Sequence, residues 1–169
     1  GAATIAALNP DVKVVRHDVR LDSTNVMEIL APYDVIVDGC DNFTTKYLVN
    51  DAAVLSRKTN IYGSIYRFDG QASVFTPGKG PCYRCLFPEP TPAELAPSCD
   101  EAGVLGVLPG VIGLIQATEA IKAILGKGTS LVGRLLTYDA LAMTFKEYRV
   151  RRDPRCALCG DAATIRKVE

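Results

Sequence analysis

Residues 2–8 are small and apolar and read as the end of a helix. Asn9-Pro10 stops it, because proline lacks a backbone donor and holds its predecessor extended. Val12, Val14 and Val15 predict a strand over residues 12–15. Asp22-Ser23-Thr24-Asn25 offers several capping oxygens, and Asn25 with Glu28 has capping-box spacing. A short helix should therefore run to Leu30, ended by Pro32. Residues 34–38 place Val35, Ile36 and Val37 between two aspartates. Three branched residues without alternation predict a parallel strand buried on both faces. Gly39-Cys40-Asp41-Asn42 follows as a loop, then a helix over residues 43–55 with a partly apolar face. Strand, loop and helix come in the order of a doubly wound α/β domain.

The pattern then changes. Residues 61–66 and 72–75 predict two strands flanking Asp69-Gly70, a hairpin turn signal. Pro88, Pro90, Pro92 and Pro97 crowd the segment from Phe87 to Cys99, which therefore reads as a surface crossover loop. A helix should start at Pro109 and stop at Gly126-Lys127-Gly128. Its apolar residues go nearly all round, so it is expected at the centre of the core. Strands near residues 131–138 and 144–150 follow, then a tail from Arg151. No internal repeat or low-complexity tract occurs.

At 169 residues the chain has the length of one domain, and its 48% apolar and 22% charged residues are globular values. Lys+Arg and Asp+Glu are 19 each. A balanced chain lacks the electrostatic footprint of a nucleic-acid binder. The longest uncharged run, residues 102–118, is short for a membrane span and contains Pro109 and four glycines. The first ten residues do not resemble a secretion signal. These features predict no nucleic-acid or membrane partner and a cytoplasmic location.

Six cysteines carry the strongest chemistry. Cys82-Tyr83-Arg84-Cys85 and Cys156-Ala157-Leu158-Cys159 are two C-x-x-C pairs. In a chain without a secretion signal they read as metal ligands. Four thiolates complete a zinc tetrahedron and leave no place for water, so Zn2+ there would be structural and would staple the middle of the chain to its tail. Cys99 stands apart in the Pro-rich segment. A loop cysteine can be a nucleophile, but Asp100 and Glu101 oppose its ionisation, so the residues alone favour an ordinary loop cysteine.

Asp41 follows the buried strand, where ligands bind in open α/β sheets. A carboxylate there suits Mg2+ and a phosphate ester. Alternatively, Asp41 or Asn42 simply caps the next helix. His17, the only histidine, has no identifiable partner and reads as a surface residue. Arg149, Arg151, Arg152 and Arg155 read as a solvated face.

An ordered set of motifs goes further: Asp38-Gly39-Cys40-Asp41-Asn42-Phe43, Tyr62-Gly63-Ser64-Ile65, Gln71-Ala72-Ser73-Val74-Phe75, Cys82-Tyr83-Arg84-Cys85-Leu86, Ala102-Gly103-Val104-Leu105-Gly106 and Gln116-Ala117-Thr118-Glu119-Ala120. The chain closely resembles the C-terminal two-thirds of the MoeB/ThiF adenylyltransferases, bacterial relatives of ubiquitin-activating enzymes. The resemblance covers nearly all of residues 1–169 as one partial domain. It implies a Rossmann-like three-layer α/β fold with a mixed sheet, a structural four-cysteine zinc site and a homodimer. It also implies a reaction: a ubiquitin-like sulfur carrier offers its C-terminal Gly-Gly carboxylate to ATP and Mg2+. An acyl-adenylate forms, then a thiocarboxylate for molybdenum cofactor, thiamine or tRNA thiolation. A sulfurtransferase or cysteine desulfurase would supply the sulfur.

By matching motif, Asp41 is similar to the family's Mg2+/ATP aspartate and Asn42 to its neighbour at the nucleotide. Cys82, Cys85, Cys156 and Cys159 match the zinc ligands. Cys99 matches a crossover-loop cysteine that bonds covalently to the carrier in some members, which makes a functional role the expectation. No G-x-G-x-x-G occurs here. The family's phosphate-cradling loop lies upstream of the matching region, so the nucleotide-loop portion is expected to be missing and these residues alone to be inactive. The rival expectation is a docking module that binds the carrier without ATP chemistry. A zinc scaffold without carrier binding is a third, and a nicotinamide-dependent dehydrogenase is disfavoured because the dinucleotide fingerprint is absent.

Overall fold

The computed structural model describes residues 1–90 and 103–168. Five strands form one mixed sheet in the order β1-β2-β3-β4-β5, spanning Val35–Asp38, Thr59–Tyr66, Asp69–Phe75, Arg134–Asp139 and Thr144–Arg149. β1 and β2 are parallel and the remaining neighbours antiparallel. Among the described residues the helices are α1 (Ala2–Leu8), α2 (Val26–Leu30), α3 (Phe43–Leu55), α4 (Tyr83–Leu86) and α5 (Leu108–Leu125).

The strands sort their side chains by parity. Tyr62 of β2 and Phe75 of β3 face one way and pack with Tyr47 of α3 and Tyr83 of α4. Ile61, Ala72 and Val74 face the other way and meet Ile115 and Ala120 of α5. Helices thus cover both faces, the expected three-layer α/β architecture.

Where the sequence reading fails, a competing contact explains it. Residues 12–15 form no strand; they are exposed and pair with no strand among the described residues. Asn25 precedes α2, but its Oδ1 accepts from the Asp22 amide at 3.0 Å, so the capping box with Glu28 does not form. The hairpin is present, but its turn is Arg67-Phe68, with Arg67 at φ 50°. Asp69 and Gly70 belong to β3, and Gly70 is needed for packing. A Cβ there would lie 2.5 Å from Ile112 Cδ1 of α5.

β1 is not buried on both faces, for Val37 is 52% exposed. Nor is α5 at the centre of the core. Leu108, Ile112, Gln116 and Glu119 form its buried stripe, while Leu114 and Ile124 are more than 70% exposed. Apolar residues occur all round the helix, but only the stripe at i, i+4, i+8 and i+11 meets the sheet. α5 does end at Gly126, whose φ of 61° suits glycine. By length and composition α5 could cross a membrane, yet its polar Gln116 and Glu119 are buried against the protein.

Candidate functional site

The loop 39–42 joins the C-terminal end of β1 to α3. Asn42 caps the helix: its Oδ1 accepts from the Thr45 amide at 2.8 Å. Its Nδ2 donates to Asp41 Oδ1 at 3.2 Å. One side chain therefore starts α3 and orients the exposed Asp41 carboxylate. Asp41 and Asn42 line the mouth of a cavity of about 570 Å³. Tyr62, Ile65, Phe87 and Gln116 supply further walls. This is the carboxyl end of parallel strands, where open α/β sheets bind ligands.

Beneath Asp41 lies a buried polar network to which the sequence motifs assigned no role. Asp38 accepts from the Cys40 amide at 2.8 Å and pairs with Lys46 at 3.6 Å. Lys46 Nζ also donates to the Gly63 carbonyl at 2.8 Å and sits 5.0 Å from the Tyr62 ring centroid. Gln116 donates to the backbone of both strands. Lys46 could have been found by spacing: it lies four residues after the cap, where its side chain points back toward the loop. Burial, then the neighbouring Asp38 charge, pushes the Cys40 thiol up to about 12. Cys40 thus stays protonated and inert near neutral pH.

The second constellation joins residues far apart in sequence. The Sγ atoms of Cys82, Cys85, Cys156 and Cys159 all lie within 4.8 Å of one another. Sγ separations are 3.9 Å for Cys82–Cys85, 3.7 Å for Cys82–Cys156 and 3.3 Å for Cys85–Cys159. A tetrahedron of zinc–sulfur bonds near 2.3 Å places its sulfurs ~3.8 Å apart, so the four thiols fit Zn2+ in size and softness. Hydrogen bonds from Cys159 and Cys82, aided by the Asp153 and Cys82 amides, hold the Cys85 thiol well below its ordinary value.

The surroundings brace this cluster. Arg84 makes a two-pronged pair with Asp51 of α3, at 2.9 and 2.7 Å. The Tyr83 amide donates to buried Asn50 at 2.9 Å. The second knuckle turns tightly at Gly160, where a Cβ would meet the Cys156 carbonyl at 2.4 Å. Arg152 belongs to that knuckle instead of to a merely solvated face: it donates to Cys159 O and Asp161, both at 2.8 Å. His17 is exposed and touches the Tyr33 hydroxyl at 3.2 Å. Cys99, and the crossover segment beyond residue 90, lie outside the described residues.

A family model described as the ThiF family matches residues 2–158. The chain is 56% identical over 169 residues to the sulfur carrier protein adenylyltransferase of Thermus thermophilus, covering 97% of this chain and 62% of that protein. It is 50% identical to the SAMP-activating enzyme E1 of Haloferax volcanii, covering 95% and 59%. It is 45% identical to the adenylyltransferase and sulfurtransferase MOCS3 of Anopheles gambiae, covering 95% and 37%. The chain thus spans about three-fifths or less of these relatives. Among solved structures, Escherichia coli MccB superposes with a TM-score of 0.76 at 17% identity, covering 95% of this chain and 49% of that one. That likeness supports the fold.

Proposed function

The chain belongs to the ThiF family, and from that premise we propose that it is part of an adenylyltransferase acting on a ubiquitin-like sulfur carrier. The observation that carries the reading is the Asp41 carboxylate, held by Asn42 at the mouth of a cavity at the carboxyl end of β1. The carrier would bring its C-terminal Gly-Gly carboxylate into this cavity, against the α-phosphorus of ATP. A carboxylate oxygen attacks, pyrophosphate leaves, and an acyl-adenylate remains. Mg2+ bound beside Asp41 would neutralise phosphate charge.

The chain's own residues have distinct tasks in this reading. Asp41 would hold the metal, and Asn42, which donates to its Oδ1, would keep the carboxylate in place. Lys46 and Asp38 neutralise one another beneath the loop, leaving Asp41 as the carboxylate offered to the cation. The apolar walls exclude water, which would otherwise hydrolyse the adenylate. The four cysteines would hold a structural Zn2+ and fix α4 to the tail. After adenylation the Cys99 thiol would attack the acyl carbonyl of the adenylate, forming a thioester with the carrier tail and releasing AMP. A homodimer, a sulfurtransferase or cysteine desulfurase donor and a cytoplasmic setting belong to the same proposal. So does the extent of the domain, residues 1–169 being the part that follows a nucleotide loop. The molybdenum cofactor, thiamine and tRNA thiolation pathways are its candidate destinations.

The second reading is a docking module that binds the carrier without adenylating it. The cavity beside Asp41 would accept a carrier tail in that reading as well. Carrier-dependent ATP–pyrophosphate exchange separates the two. The adenylyltransferase reading expects exchange from the protein as made by its source, and none from residues 1–169 alone. Carrier binding with no exchange from either supports the docking module. No carrier-dependent exchange and no carrier binding overturn both.

A further inference from the structure

Gln116 is buried on α5, 6% exposed, and its Nε2 donates to two backbone carbonyls. They are Asp38 O at 2.7 Å and Ile61 O at 3.0 Å. These carbonyls belong to neighbouring parallel strands, and Asp38 ends β1 where the 39–42 loop begins. An amide nitrogen has two hydrogens, so both are used, and two carbonyl acceptors fix which way the amide faces. The fit is close: a Cβ on Gly63 would lie 2.4 Å from Gln116 Cδ and Oε1. The Gly63 carbonyl accepts from Lys46, which pairs with Asp38, whose carboxylate accepts from Cys40. A chain of polar contacts thus runs under the loop from Gln116 to Asp38, from Asp38 to Lys46 and from Lys46 to Gly63, and Gly63 packs against the Gln116 amide.

We propose that Gln116 is a positioning residue for the Asp41 loop. Its amide grips β1 and β2 at the carboxyl end of their pairing, and Gly63 keeps the space that the grip needs. Other side chains fail for identifiable reasons. Ionised glutamate has no hydrogen to give the two carbonyls. Methionine fills the volume but gives neither carbonyl a hydrogen. Asparagine is one methylene short. The importance of Asp41 rests on the nucleotide reading above; the grip rests on backbone geometry alone.

Cys40, inside the loop, is a native reporter of its opening. The experiment measures Cys40 alkylation under native conditions, with peptide mapping to separate it from the other cysteines. Wild type is compared with Gln116→Met, Gln116→Ala, Gly63→Ala and the Gly63→Ala/Gln116→Ala double variant. Cys40 should react about tenfold faster or more in Gln116→Met and in Gly63→Ala, since each loses buried hydrogen bonds. Adding Gly63→Ala to Gln116→Ala should change nothing further, because the two act on one contact. Amides of β3 and β4 should exchange within about twofold of wild type, a selectivity that general destabilisation would not give.

Should Gln116→Met lose its cooperative melt, Gly63→Ala carries the same comparison. Unchanged Cys40 reactivity in a folded variant overturns the proposal. So do additive effects in the double variant, or equal loosening of β3 and β4. Mg2+·ATP is then added to the protein as its source makes it. If the variants loosen the loop but nucleotide never protects Cys40, the nucleotide reading fails and the grip stands.

Discussion

Removing the metal from the cysteine cluster should destabilise the whole domain. The cluster joins positions 74 residues apart, Cys82 with Cys156 and Cys85 with Cys159. Closing a chain loop of that length removes unfolded-state entropy equivalent to about 4 kcal/mol for a covalent link. A metal bridge that forms only in the folded state acts on the same loop, and its binding free energy is folding free energy. The cluster packs against Val54 and Leu55 of α3 and Ile165 of the tail, so the loss reaches the sheet layer. For a domain of this size 1 kcal/mol moves the melting midpoint by about 2–4 °C. Chelation, or Cys156→Ser, should therefore lower it by about 8–16 °C, and stoichiometric Zn2+ should restore the chelated wild type. Thermal melting followed by circular dichroism, with metal content by elemental analysis, is sufficient. A metal-free protein that melts within about 1 °C of the loaded one would refute the stapling role.

Other consequences follow from single contacts. Asp51→Ala should cost about 3 kcal/mol in denaturant unfolding, because Arg84 loses both prongs of its pair in a half-buried place. Asp51→Ala/Arg84→Met should recover much of that loss. Cys40 should resist alkylation at pH 8 in the folded protein and react readily in urea. Its folded pKa of about 12 lies above the ordinary thiol value of 9.0. The unfolded thiol therefore ionises first as pH rises, so this group withdraws stability between about pH 9 and 12, readable as a falling urea midpoint. Asn42→Ala should lower stability by about 1 kcal/mol through the lost cap. It should also release Asp41, so any Mg2+-dependent nucleotide affinity falls further than the stability change explains.

Much of this architecture was legible because local patterns and tertiary contacts agree. The Asn42 cap, α3, the Gly126 stop and the five sheet strands follow from periodicity and punctuation. The two C-x-x-C pairs meet because their spacing already carried metal chemistry. The failures have a common cause: partners remote in sequence. Val12 and its neighbours have strand propensity but pair with no strand among the described residues. Asp69-Gly70 has the composition of a turn, but Gly70 is needed where Ile112 crosses the sheet. The apolar residues of α5 do not say which face meets β2 and β3. The contacts of Lys46 and Gln116 were hidden because a polar residue inside a helix usually points to water. Only the fold brings them under the Asp41 loop.

The central claim is that Asp41 serves nucleotide chemistry at the carboxyl end of β1. It is tested most directly by carrier-dependent ATP–pyrophosphate exchange in the protein as its source makes it, comparing wild type with Asp41→Asn. The substitution keeps size and the Asn42 contact while removing the charge. Exchange should depend on Mg2+ and fall at least about a hundredfold in the variant, in keeping with a charge interaction made at the reacting phosphate. Undiminished exchange by Asp41→Asn would contradict the claim.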